Sequence, residues 1–332
     1  MRAVVGAELG GPERYELTEA PRRAPDAGEV EIAISVAGMG YVDALIAAGG
    51  YQVKPPTPYV PSLEFSGRIE RLGDGVTGFE VGQRVAAAAF GGGLAEYAVV
   101  PAAVVAPIPD ALEAGAAAGF TTNYMTAWHA LVDRAGLRAG ETVLVLGAAG
   151  GVGVAAVQVA RLAGARVIAG ASTEAKRGWA LAQGAHATID YTDPEWRKAL
   201  KGLTDGRGVD VVFDPVGGDL LEPAFRSLAW RGRHLVIGFT GGPIPALSVN
   251  LALLKGAALM GVDLRQFQSV HEADAALAMR GLLFDAVGRG DLRPPVGARY
   301  AFEDFRAAMA QALSRDGLGK TVVEIAAEDD DG

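Results

Sequence analysis

Apolar and polar residues alternate along the first third of the chain. In Val30-Glu31-Ile32-Ala33-Ile34-Ser35-Val36 an apolar side chain recurs at every second position, the period of a strand with one buried face. Gly67-Arg68-Ile69-Glu70-Arg71-Leu72 keeps the same rhythm and runs into Gly73-Asp74-Gly75, which is turn chemistry. Val81 to Val85 and Ala95 to Val100 predict two further strands, and Met1 to Val5 is strand-like from the outset. Residues 1–117 therefore read as β-rich, a roll or partly open barrel.

From about Ala118 the pattern changes. Val143-Leu144-Val145-Leu146 is apolar throughout, as a strand buried on both faces must be, and a helix follows from Val152 to Leu162. Arg166 to Ala169, Ala187 to Ile189, Val209 to Phe213 and His234 to Ile237 predict more strands. A helix at Glu174 to Gln183 and other amphipathic segments lie between them. Alternating strands and helices predict a doubly wound parallel sheet over residues 118–265. Beyond it come a helix at 273–287, a strand at Arg299 to Phe302, a helix at 303–314 and a strand at Lys320 to Ile325. These are expected to complete the first domain as residues 266–332. Glu328-Asp329-Asp330-Asp331-Gly332 reads as a frayed, solvated tail.

Composition narrows the function. The net charge is −9, which excludes a basic nucleic-acid surface. The cysteine count is zero, so disulfides and thiolate metal sites are excluded. The apolar run from Thr142 to Ala160 is broken by Ala149 to Gly153 and does not read as a membrane span, and no signal-peptide pattern is found at Met1. A cytoplasmic enzyme with a small-molecule substrate is the expectation.

The chemistry begins in Leu146-Gly147-Ala148-Ala149-Gly150-Gly151-Val152-Gly153, between a strand and a helix. In that setting Gly150 lets backbone approach a diphosphate, Gly153 lets the helix pack on the strand, and the helix N-terminus attracts the anion. Ala149 to Gly153 form the expected phosphate loop, with Ala148 standing where a first glycine is usual. At the end of the second strand an NAD site places an Asp or Glu on the ribose 2′-hydroxyl. Here the segment is Ala169-Gly170-Ala171-Ser172-Thr173-Glu174-Ala175-Lys176-Arg177. Ser172 can bond a 2′-phosphate and Lys176 or Arg177 can neutralise it, while Glu174 belongs to the helix start, so the pattern points to NADPH.

Several segments together resemble the medium-chain dehydrogenase/reductase superfamily, in particular its zinc-independent quinone oxidoreductase (zeta-crystallin-like) family. They are Gly73 to Val85, Gly92 to Tyr97, Ala148 to Gly153, and Gly184-Ala185 with Ile189-Asp190-Tyr191. The resemblance implies a GroES-like catalytic domain at 1–117 joined to a Rossmann NADP-binding domain at 118–265. It also implies reduction of a quinone or enone by NADPH, and a homodimer through the edge strand of the cofactor domain.

Zinc-dependent members hold their metal with Cys, His and a third ligand. The first two positions are Gly40 and Leu63 here, and His129, His186, His234 and His271 have no ligand-like spacing. No metal is expected. Gly40-Tyr41-Val42-Asp43 and Gly49-Gly50-Tyr51 match a segment that lines the family's substrate cleft. Gly40 stands where the family carries an Asn that contacts cofactor or substrate, and its lack of a side chain is expected to widen the pocket. The resemblance makes Tyr51 the proton donor or substrate-orienting group, with Tyr41 as a second aromatic, and leaves Asp43 a structural role. It places Thr126 near the nicotinamide and Tyr191 at the adenosine phosphate, with Gly238 and Phe239 against the cofactor at the carboxyl end of a strand and Asp214 to Gly218 bordering the same cleft. The alternatives are a 2-enoyl-thioester or small enone reductase, and a protein that binds NADPH without turnover.

Overall fold

The computed structural model describes residues 1–314 and 316–326, so the acidic tail at 328–332 lies outside the described residues. The described strands are, in chain order, β1 (Arg2–Gly6), β2 (Tyr15–Glu19), β3 (Glu29–Met39), β4 (Glu64–Leu72), β5 (Arg84–Ala88), β6 (Tyr97–Pro101) and β7 (Val105–Pro107). They continue with β8 (Thr142–Leu146), β9 (Arg166–Gly170), β10 (Ala187–Ile189), β11 (Val209–Asp214), β12 (Leu228–Val236), β13 (Ala258–Gly261), β14 (Val296–Ala301) and β15 (Lys320–Glu324). The chain divides into two units, residues 1–122 with 294–332, and residues 123–293.

The first unit is a mixed sheet ordered β14-β15-β3-β4-β5-β7, with β6 paired to β3 and β1-β2 as a separate hairpin. Strand β3 is its spine, and the alternation that predicted it is visible in Val30, Ile32 and Ile34, all buried in one core with Phe65, Val85 and Phe302. The strand predicted at 81–85 begins only at Arg84. Gly82 takes φ +84 in the preceding turn and Val81 is exposed.

The second unit is a parallel sheet ordered β10-β9-β8-β11-β12-β13. Every residue of β8 is buried, as is every residue of β11, so their polar members are few and partnered: Asp210 is paired with Arg207 and Asp214 with His234. Helices Gly151–Leu162 and Glu174–Ala182 join successive strands.

The observed division falls at residues 122/123 and 293/294, rather than at the expected 117/118 and 265/266. Two local contacts explain the later exit. Phe267 stacks on His129 with ring centroids 4.1 Å apart, holding 264–271 to the second unit. Gln158 accepts from the N–H of Arg293 at 2.9 Å and donates to its carbonyl at 2.9 Å, which fastens the last residue before the chain crosses. Among the described residues no helix is long and apolar enough to cross a membrane.

Candidate functional site

In the second unit the chain runs from β8 outward to β9 and β10, then returns to β11 on the other side of β8. Ligands of open parallel sheets bind beyond the carboxyl ends of the strands at such a reversal. The loops after β8 and β11 meet there, since a Cβ on Gly147 would lie 3.1 Å from Val216 Cγ2 and 3.5 Å from Pro215 Cγ.

The loop after β8 leads into helix Gly151–Leu162, whose N-cap Gly150 supplies no side-chain cap. The first helical N–H groups have no partner within the helix and form its positive end. Gly150 and Gly153 serve different ends. A Cβ on Gly153 would stand 2.2 Å from the Gly147 carbonyl oxygen and 2.8 Å from Ala148 Cα, so only glycine lets the helix sit on the loop. A Cβ on Gly150 would meet only Gly147 O within 4 Å, at 3.6 Å, which leaves its outer side open as a cradle for an anion. Ala148 and Ala149 are buried, and the N–H of Ala148 donates to Gly170 O at 3.2 Å, tying the loop to β9. Val152 is half-buried.

Beyond β9, Ala171 is buried, Ser172 half-buried and Thr173 exposed. Thr173 Oγ1 accepts from the N–H of Lys176 at 3.3 Å and caps helix Glu174–Ala182, with Glu174 exposed in the first turn. Lys176 and Arg177 are half-buried on the same turn. Arg177 Nη1 lies 2.8 Å from Asp190 Oδ2 and donates to Ala171 O at 3.3 Å. Tyr191 flanks the same strand end, its Cδ1 being 3.3 Å from where a Cβ on Gly170 would stand. Ser172, Lys176, Arg177 and Tyr191 are thus gathered around the end of β9.

Gly238 and Phe239 follow β12 and adjoin the loop after β11. A Cβ on Gly217 would stand 3.0 Å from Phe239 Cδ1 and 3.3 Å from Gly238 O. That loop is held from below by Asp214, whose Oδ1 accepts the N–H groups of Val216 at 2.9 Å and Gly217 at 2.8 Å. Its Oδ2 lies 2.9 Å from Nε2 of the fully buried His234. Thr126 is half-buried in helix Thr121–Trp128, and Asn123 of that helix reaches the glycine-rich loop, its Nδ2 2.9 Å from a Cβ built on Gly151. The sequence places Asp214 to Gly218 at the cleft but does not reveal the pairing of Asp214 with His234, nor the positions of Asn123 and Asp190, because each depends on a partner on another segment.

In the first unit Gly40 caps helix Tyr41–Ala47 and Tyr41 is its first residue. Asp43 does structural work there: Oδ2 accepts the Gly40 N–H at 2.7 Å and Oδ1 the Leu63 N–H at 2.6 Å. Gly40 does not open a wider pocket. A Cβ there would lie 3.1 Å from Asp43 Oδ2 and 3.1 Å from Lys320 Nζ, so a charged cluster already fills the space. Lys320 Nζ is 3.0 Å from Glu64 Oε2 and 3.8 Å from Asp43 Oδ2, and Glu64 Oε1 accepts the Thr122 N–H at 2.7 Å. Burial opposes the charge on Lys320, but Glu64 and Asp43 outweigh it and raise the ammonium pKa. Tyr51 follows the Gly49-Gly50 turn and packs half-buried against the core of this unit. Among the described residues no group of three or more His, Cys, Asp or Glu is placed to hold a metal.

A mixed-sheet unit of this order, with a six-stranded doubly wound sheet carrying a glycine-rich loop, defines the architecture of the medium-chain dehydrogenases and reductases. The alcohol dehydrogenase GroES-like domain family matches residues 26–110, and the zinc-binding dehydrogenase family matches residues 151–279. Rat quinone oxidoreductase-like protein 2 is 34% identical over 325 residues, covering 98% of this chain and 92% of its own. The quinone oxidoreductase of Thermus thermophilus, solved also with NADPH, superimposes with a TM-score of 0.85 at 35% identity, over 98% of this chain and 100% of the other. A structure described as an NAD-dependent alcohol dehydrogenase gives a TM-score of 0.91 at 31% identity, over 98% and 100%. The chain belongs to the quinone oxidoreductase family of the medium-chain dehydrogenase/reductases, and is an oxidoreductase of that type.

Proposed function

We propose that this enzyme uses NADPH to deliver a hydride to a quinone or another conjugated carbonyl, without zinc. The observation that carries the cofactor reading is the end of β9, where Ser172 and Lys176 stand and that strand bears no acid. A 2′-phosphate finds a hydroxyl donor and a cation there. The NADPH complex of the Thermus relative supports this choice over the NAD cofactor named for the alcohol dehydrogenase neighbour.

Ala149 to Gly153 would hold the diphosphate through backbone N–H groups, and Tyr191 would pack at the adenosine end. Gly238, Phe239 and Thr126 are proposed to flank the nicotinamide. When bound, NADPH supplies the hydride; a quinone or enone accepts it readily because the resulting anion is delocalised. Such an acceptor needs positioning and one proton rather than a Lewis acid. Gly40 and Leu63 at the metal-ligand positions of zinc-dependent relatives support zinc-free chemistry. Tyr51 is the proposed proton donor, with Tyr41 as a second aromatic wall, and a cytoplasmic location is proposed with them.

A homodimer through the edge of the parallel sheet is also proposed. Strand β13 ends that sheet, and Trp230, Val249, Leu253, Leu254 and Leu259 are exposed on this unit, from 46% for Leu259 to 87% for Val249.

NADPH oxidation with phenanthrenequinone, with crotonyl-coenzyme A and with no acceptor tests the reading. Turnover with the quinone supports it, and Tyr51→Phe then slows a simple enone more than the quinone. Preference for the thioester would make the protein an enoyl reductase, and tight NADPH binding with no turnover would make it a binding protein.

A further inference from the structure

Resting on the NADPH reading, we propose that Arg177 and Asp190 form a selectivity device in which Arg177 masks a strand-end carboxylate that would otherwise select NADH. The acid missing from β9 is present one strand away. Strand β10 pairs with β9 so that Ile189 lies beside Gly170, and the N–H of Ala171 donates to Ile189 O at 3.2 Å. Asp190, the next residue, therefore emerges level with Ala171, where the chain turns toward Ser172.

Asp190 is not free to meet a ribose. Its Oδ1 accepts the N–H and the hydroxyl of Thr192 at 2.9 and 2.6 Å, and its Oδ2 lies 2.8 Å from Arg177 Nη1. Thr192 first and Arg177 after it hold the carboxyl below its usual range, so it is a carboxylate at neutral pH. Arg177 Nη1 also donates to Ala171 O, so both hydrogens of that nitrogen are committed. In this proposal Arg177 acts on a 2′-phosphate through Asp190: it cancels a negative charge that would repel the phosphate and accept from a ribose hydroxyl. Lys176, on the same helical turn, is assigned the direct contact with the phosphate.

The test is a double-mutant cycle read as binding, with the dissociation constants of NADPH and NADH measured by the fluorescence of the bound nicotinamide. Arg177→Ala should weaken NADPH about tenfold and leave NADH unchanged or tighter, the effect of one uncovered charge beside a phosphate in water. Asp190→Asn, which keeps the shape of the side chain, should hold or tighten NADPH. Added to Arg177→Ala, it should restore NADPH binding to within about threefold of wild type. A double variant as weak as Arg177→Ala would overturn the device alone and make Arg177 a direct phosphate ligand. A wild-type protein that binds NADH as tightly as NADPH would overturn the cofactor reading and the device together. Melting curves of the four proteins should agree closely, because both side chains are partly exposed.

Discussion

Lys320 and Glu64 are buried side by side, with Nζ 3.0 Å from Oε2, although 256 residues separate them in the chain. The pair joins the start of β15 to the start of β4, and Asp43 extends it to the helix that carries Tyr41. Removing the cation would leave two carboxylates buried without a counter-charge. Lys320→Met should therefore cost about 3–5 kcal/mol in a denaturant titration. A variant within about 1 kcal/mol of wild type would show that water or protonation absorbs the charge instead.

The glycine-rich loop after β8 separates a glycine needed for packing, Gly153, from one left open, Gly150. Gly153→Ala forces a Cβ against backbone at 2.2 Å and should lower stability by about 1–3 kcal/mol. Gly150→Ala meets nothing closer than 3.6 Å and should melt close to wild type while binding NADPH at least about tenfold more weakly. Equal thermal shifts for the two variants would show that the loop has no open side.

Glu31 predicts the behaviour in acid. It is fully buried, and burial alone would raise its carboxyl pKa; Arg22 and Arg71 overcome that and hold it at about 2. Both guanidinium groups are bidentate on it, and Arg22 also lies over the Tyr97 ring. Because the folded value lies below the unfolded one of 4.5, the stabilisation is present above about pH 4.5 and is lost as pH falls toward 2. Glu31→Gln should cost about 2 kcal/mol at pH 7, allowing for solvent around the partly exposed arginines, and should converge with wild type near pH 2. A gap that does not change with pH would mean the cluster acts by packing alone.

The proposed dimer has its own test. Leu259→Glu combined with Leu253→Glu places two charges on the exposed face beside β13 and should shift sedimentation from dimer to monomer. A wild-type monomer would remove the interface, as would a double variant that still sediments as a dimer.

Much of the fold was legible in the sequence because β8 and the Val211-Val212-Phe213 centre of β11 are apolar and β3 alternates from Val30 to Val36. The start of β12 was not, since Trp230 and Arg231 are exposed and Gly232 follows them, which hides a strand that only pairing reveals. Helices Trp196–Leu203, Leu221–Arg226 and Asn250–Lys255 were visible only as amphipathic segments. Ser172, Lys176 and the glycine loop could be proposed from the sequence because they lie within short segments. Asp190, Asn123 and Lys320 could not, because each takes its meaning from a residue on another strand or helix, and single-chain periodicity does not report such pairings.

Hydride delivery from NADPH to a quinone without metal is measured by kcat/KM with phenanthrenequinone after exhaustive chelation, with NADPH and with NADH. Turnover should be unchanged by the chelator, and kcat/KM should be at least about tenfold higher with NADPH, the usual worth of a phosphate–cation contact. Activity lost on chelation and restored by zinc, or equal use of NADH, would contradict metal-free hydride delivery from NADPH.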